Sequence, residues 1–236
     1  MSYLPDNTRR QFLQTTLVGI SGLGIIRVLG AETQPVFFNK SEIGFLEAAV
    51  DRLIPPDAKW GGAKEAGVVN YIDRQMAGPW GRAEQLYFNG PFIKGPRNLG
   101  YQLGFTPAQM FQRAIDAINK YFADRGTSFG RLAPAEQDEY LRTLESGEHD
   151  LNGVPSNTFF DFLYQHTLEG FFGDPVYGGN HDKVSWRMIG FPGAYTDFYE
   201  WVDQHNVPFT REPMSIADEK AAPSMPAMQH GQQGGR

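Results

Sequence analysis

The chain has 236 residues, a formal net charge of −6 and no cysteine. The missing thiols exclude disulfides, thiolate-held iron–sulfur clusters and covalent c-type haem attachment, and the acidic balance argues against nucleic acid or anionic lipid as partners. Hydrophobic residues make up 41% and aromatics 14%, ample for a core, while 27 glycines and 16 prolines predict long loops.

In chain order, the first feature is Thr8-Arg9-Arg10-Gln11-Phe12-Leu13, paired arginines directly ahead of an aromatic and an aliphatic residue. Residues 15–26 carry no charge and are only moderately apolar, and small residues follow at Gly30 and Ala31. A basic start, a short apolar run and small residues describe an export signal. The run is shorter than the roughly 20 apolar residues of a spanning helix. The arginine pair specifies the twin-arginine route, with Arg9, Arg10, Phe12 and Leu13 as its recognition residues. Both Val28-Leu29-Gly30 and Leu29-Gly30-Ala31 offer a cleavage site, and retention as an anchor is the alternative. Without residues 1–31 the balance becomes 18 basic against 26 acidic residues, a net charge of −8.

The rest reads as mainly α: an irregular helical domain of about six helices over residues 32–220, with long Gly-, Pro- and aromatic-rich loops. Asn39 and Glu42 form a capping box, followed by Ile43, Leu46, Ala49, Val50 and Leu53 at helical spacing, and Pro55-Pro56 stops the helix. A second helix is predicted over Lys64 to Met76, with Val68, Val69, Tyr71 and Ile72 inward. Residues 78–105 read as a long ordered loop with a short helix at Ala83 to Phe88. Thr106-Pro107-Ala108-Gln109 opens the clearest helix, burying Met110, Phe111, Ala114, Ile115, Ile118, Tyr121 and Phe122, and Gly126 ends it. Further helices are predicted over Pro134 to Glu145, with Tyr140, Leu141 and Leu144 inward, and over Thr158 to Phe171. Ser156 or Asn157 caps the latter, whose apolar face is Phe159, Phe162, Leu163 and His166. A last short helix is expected at Ala194 to Asp203, no strand pattern stands out, and residues 221–236 read as a disordered tail.

Chemistry-bearing motifs are scarce. There is no G-x-G-x-x-G or H-E-x-x-H, and the five histidines (His149, His166, His181, His205, His230) lack metal-ligand spacing. Polar residues concentrate over 168–193. As an active site, Glu169, Asp174, His181 and Asp182 would gather a metal or act as acid and base. As structure, Gly178-Gly179-Asn180 supplies a positive-φ turn, Asp174-Pro175 starts another and aromatics pack beneath. Carboxylates so spaced in a glycine loop define no constellation, so structure or interface is the preferred reading. His166, within an aromatic face, reads as a satisfied core histidine. Phe171-Phe172 fits either the core or an anchor for a partner.

Glu169-Gly170-Phe171-Phe172, Asp174-Pro175, Tyr177-Gly178-Gly179-Asn180, Trp186 and Met188-Ile189-Gly190-Phe191-Pro192-Gly193 together resemble the signature of the gluconate 2-dehydrogenase small-subunit family. The resemblance extends to Leu53-Ile54-Pro55, to Gly67-Val68-Val69 and to the leader. It implies a small, or gamma, subunit of a membrane-associated dehydrogenase that oxidises gluconate, glucose, fructose, sorbitol or similar polyols. The family's large subunit resembles glucose–methanol–choline oxidoreductases and binds FAD, and a multihaem cytochrome c subunit often passes electrons onward. The small subunit is expected to carry the twin-arginine signal for the flavoprotein, to help it mature, and to reside in the periplasm, membrane-associated through the complex. The absence of cysteine departs from relatives that use a disulfide. On this reading the chain itself is non-catalytic and holds no cofactor, and segments 78–105 and 170–193 are the expected contact surfaces. The alternatives are a stand-alone exported metal enzyme using Glu169, Asp174 and His181, and a periplasmic binding module without a redox partner.

Overall fold

The computed structural model describes residues 34–93, 95 and 100–219. The expected leader and tail lie outside the described residues. Helix α1 spans Lys40–Leu53, α2 Val68–Ala77, α3 Pro107–Ala123, α4 Pro134–Ser146, α5 Ser156–Phe172, α6 Val184–Ile189 and α7 Ile216–Glu219. Among the described residues no strand forms, and the extended contacts are single bridges, Asp150 with Pro155 and Gly193 with Met214. No helix among them is long and apolar enough to cross a membrane.

Local chemistry sets the helix starts. Asn39 accepts from the Ser41 and Glu42 amides while Glu42 returns a bond to the Asn39 amide at 2.7 Å, the reciprocal capping box that the spacing predicts. Thr106 and Gln109 repeat the device at α3, with Pro107 in the first turn. The amphipathic stripes then meet in one aromatic-rich core. Phe45 of α1, Phe111 of α3, Phe159 of α5 and Phe129 between α3 and α4 are buried there, with Phe111 and Phe159 edge to face at 5.4 Å. Helix α5 lies at the centre, packed against α1, α2, α3, α4 and α6. Arg52 reaches from α1 to Asp138 of α4 through two bonds of 2.7 and 2.9 Å, and this guanidinium holds the Asp138 carboxyl below its usual range.

Several predicted elements differ. Helix α2 starts at Val68, not Lys64, because the chain turns through residues 63–67 and Gly67 takes φ +73°. The helix expected at Ala83 to Phe88 is absent. Residues 79–86 form successive turns in which Ala83 is left-handed (φ +62°), a conformation that L-residues do not propagate as a helix. Helix α5 begins at Ser156 behind Pro155, so neither Ser156 nor Asn157 is its cap. The helix expected over Ala194 to Asp203 shrinks to a 3₁₀ turn at Tyr199–Trp201, since the Ala194 amide and the Pro192 carbonyl bond instead to Met214. Tyr121, expected inside, is 38% exposed and stacks on Tyr140, with Arg125 over its ring. The short helix α6 had no predicted counterpart, because the left-handed residues that launch it leave no N-cap signature.

Candidate functional site

The site is the segment that leaves the C-terminal end of α5 and returns through α6. Its first bonds are to the helix it leaves. The Gly173 amide caps the Glu169 carbonyl at 2.8 Å, and the Trp186 indole donates to the Phe172 carbonyl at 2.7 Å. These satisfy carbonyls that a helix C-terminus otherwise leaves open. Asp174 starts the Pro175–Tyr177 turn by accepting from the Val176 amide (2.9 Å). It also accepts from the Ser215 hydroxyl (2.6 Å) and the Ile216 amide (3.0 Å), tying a distant segment to the loop.

Asn180 organises the middle. It is fully buried at φ +46°, a left-handed position that Asn tolerates better than most residues. Its Nδ2 donates to the Gly173 carbonyl at 2.9 Å, and its Oδ1 accepts from the Ser185 amide (3.1 Å) and hydroxyl (2.8 Å). Gly179 lies so close to α5 that a Cβ there would fall 2.1 Å from the Gly170 carbonyl oxygen. Helix α2 and the turn before it hold the outer side: the Asn70 side-chain amide of α2 donates to the Gly178 carbonyl at 2.6 Å, and the His181 backbone amide to the Ala66 carbonyl of the turn at 3.0 Å. Asp182 and Lys183 are also left-handed, at φ +54° and +56°. Two such residues cost on the order of 1–2 kcal/mol each, and the Lys183–Asp218 ion pair is among the contacts that hold them.

This scaffold turns an apolar strip outward. Phe171 is buried, while its neighbour Phe172 is partly exposed, so the two phenylalanines divide between core and surface. Tyr177 and Ile189 are 55% and 57% exposed, and Val176, Met188 and Phe191 are exposed beside them in sequence. Trp186, 4% exposed, supports Phe191 edge to face at 5.2 Å. Pro192 and Gly193 close the segment through the Met214 contacts.

The residues of the metal-enzyme reading are each engaged elsewhere. Glu169 accepts from the Tyr71 hydroxyl (3.0 Å) and the Gln165 amide (2.7 Å), and burial with this carboxylate nearby pushes the Tyr71 phenol up. Asp174 is committed to the turn and to Ser215. His181 packs its ring over Gly67 and, with Asp182, lines a cleft of about 270 Å³ alongside Trp60, Glu65 and Arg187, a cleft that neither Glu169 nor Asp174 lines. Among the described residues no three His, Asp or Glu side chains are grouped as a metal ion needs. Ser185, Ser215 and Asn70 are structural partners that the sequence reading missed, and nothing in their local sequence distinguishes them.

His166 sits just inside the site, 2% exposed, with Nδ1 3.0 Å from the Phe162 carbonyl and its ring against Trp80 at 4.4 Å. Burial lowers its pKa from the ordinary value and outweighs the opposing pull of Glu169. The unfolded chain therefore binds this proton more readily than the native one. Denaturant titrations should show stability falling as pH drops through about 6.5, the free-histidine value, and levelling off below the native value. His166→Gln should flatten that slope.

Residues 40–193 match the family model described as gluconate 2-dehydrogenase subunit 3. The chain belongs to the gluconate 2-dehydrogenase subunit 3 family. Comparison with curated proteins and with solved structures gave no match. Family membership makes the chain a small subunit of a multi-subunit dehydrogenase complex. The match includes the whole 173–193 loop and ends where Gly193 meets Met214.

Proposed function

We propose that this subunit 3 protein is the non-catalytic escort of an exported FAD-dependent dehydrogenase acting on a sugar or sugar acid. Its leader, residues 1–31, sends the folded pair through the twin-arginine translocase, and its helical domain stabilises the flavoprotein. The partner is a large subunit of the glucose–methanol–choline type, which holds the FAD. A cytochrome subunit with c-type haem completes the complex, which works in the periplasm at the membrane. No flavin or haem role is assigned to this chain, which has neither a G-x-G-x-x-G motif nor a cysteine.

The observation that carries the reading is the family loop. Its interior is fixed by a buried asparagine and by backbone contacts at Gly179 too close for a Cβ, yet it aims apolar side chains outward. A rigid scaffold with exposed aromatic and aliphatic residues suits a permanent interface, where little ordering entropy remains to be lost on binding. A flavoprotein folds around its cofactor before export, so a signal on a tightly bound companion serves both chains.

Expressed without this chain, the flavoprotein should stay cytoplasmic and show little activity, and normal periplasmic activity would overturn the proposal. The contact face is tested separately by changing Tyr177, Ile189 and Phe191 together to serine. Their exposure predicts a melting temperature within about 6 °C of the parent, surface changes being worth roughly 0.5 kcal/mol or less each at about 2–4 °C per kcal/mol. Recovery of the flavoprotein on affinity purification should fall at least tenfold. Undiminished recovery would place the interface elsewhere.

A further inference from the structure

The start of the helical domain is held in an unusual way. Asp73, on the inward side of α2, is 2% exposed and accepts three successive backbone amides: Val36 at 2.6 Å, Phe37 at 3.0 Å and Phe38 at 2.8 Å. A buried carboxylate is costly unless fully hydrogen-bonded, and three donors supply that compensation. Phe38 is itself buried, edge to face with Phe37 at 4.8 Å and near Phe111, and Asn39 then begins the α1 capping box. Gln34 and Pro35, immediately upstream, are exposed. Val36 is 73% exposed, so burial does not hold this residue; its amide does.

We propose that Asp73 is a latch that fixes where the folded domain begins and so limits how far into the chain a processing peptidase can reach. Proteases bind substrate as an extended strand through its backbone groups, much as a sheet edge accepts an added strand. Hydrolysis then adds one water across the amide, leaving a carboxylate end and an ammonium end. The latch withholds this from the bonds between Val36 and Phe38, because the Phe37 and Phe38 N–H groups are bound to Asp73 and the Phe38 side chain lies in the core. Trimming from the N-terminal side therefore stops at Val36. Asp73 belongs to α2, so the stop exists only once α2 has packed, and the boundary is a product of folding. Its use in processing the leader rests on the export reading above; the latch itself does not.

The test is limited thermolysin digestion of the full-length chain, since this protease cuts ahead of bulky apolar residues and Val36, Phe37 and Phe38 offer three such bonds. Wild-type protein should give no product starting at Phe37 or Phe38. In Asp73→Asn those products should appear at least tenfold faster, while the α3 amides stay protected from hydrogen exchange. Val36→Pro removes one donor without touching Asp73 or the core, and should accelerate them several-fold. Wild-type cutting at the rate of Asp73→Asn, or unchanged trimming in Asp73→Asn with α3 still protected, would refute the latch. Should Asp73→Asn lose the whole fold, Val36→Pro decides, and wild-type trimming in that variant counts against the proposal. None of these readouts involves the partner or export, so the latch and the escort role can fail independently.

Discussion

Asn180→Ala should lower the melting temperature by roughly 10 °C and release the 173–193 loop. The substitution removes a fully buried side chain and strands the Gly173 carbonyl together with the amide and hydroxyl of Ser185. Each unsatisfied buried group costs about 1–3 kcal/mol and alanine adds strain at φ +46°; with the three groups each near the low end of that range, a total of about 3–4 kcal/mol is expected. At roughly 2–4 °C per kcal/mol for a domain of this size, that gives the predicted shift. Calorimetry measures the shift, and hydrogen exchange locates it. Amides over 176–186 should lose protection before those of α3. A change under 2 °C would mean that the loop is not anchored through this side chain.

Gly179→Ala attacks the same loop by the opposite route. A methyl group 2.1 Å from the Gly170 carbonyl oxygen meets helix backbone, which cannot rotate aside, so the loop must lift from α5. Overpacking of this kind costs about 1–3 kcal/mol. The two changes converge on one event, so the double variant should be less destabilised than the sum of the singles, with a coupling on the order of 1 kcal/mol. Both single variants should also weaken recovery of the flavoprotein, whereas the triple serine variant should do so with only a small loss of stability. This contrast separates disturbing the scaffold from removing the contact face.

The helices were legible where local signals and periodicity agreed. The capping boxes at Asn39 and Thr106 are read within four residues of sequence, and both fall where the pattern places them. The stripe from Met110 to Phe122 was right except at Tyr121, which a neighbouring arginine and tyrosine hold at the surface. The errors share a cause. At Ala83, at Lys183 and at Ala194 the outcome is decided by left-handed backbone or by a bond to a residue far along the chain, which a local pattern does not encode. The loop motif could be recognised as a string, and its glycines pointed to close approach. Its dependence on Ser185 and Ser215, and the role of Asp73, required the fold. An acid beside Ile72 in the apolar stripe of α2 was the available hint that something polar had to come and meet it.

Helix α5 touches each of α1, α2, α3, α4 and α6, and its last turn carries the loop on the carbonyls of Glu169, Gly170 and Phe172. A molecule gripping the loop therefore pulls on the helix around which the core is assembled. Occupancy at the surface and survival of the interior are then linked by mass action. A partner present at roughly a hundred times its dissociation constant adds about 2.7 kcal/mol to the stability of whatever it binds only when folded. That increment reaches every helix that leans on α5, so a chain separated from its complex would be more readily degraded, and unpaired copies would tend to remove themselves.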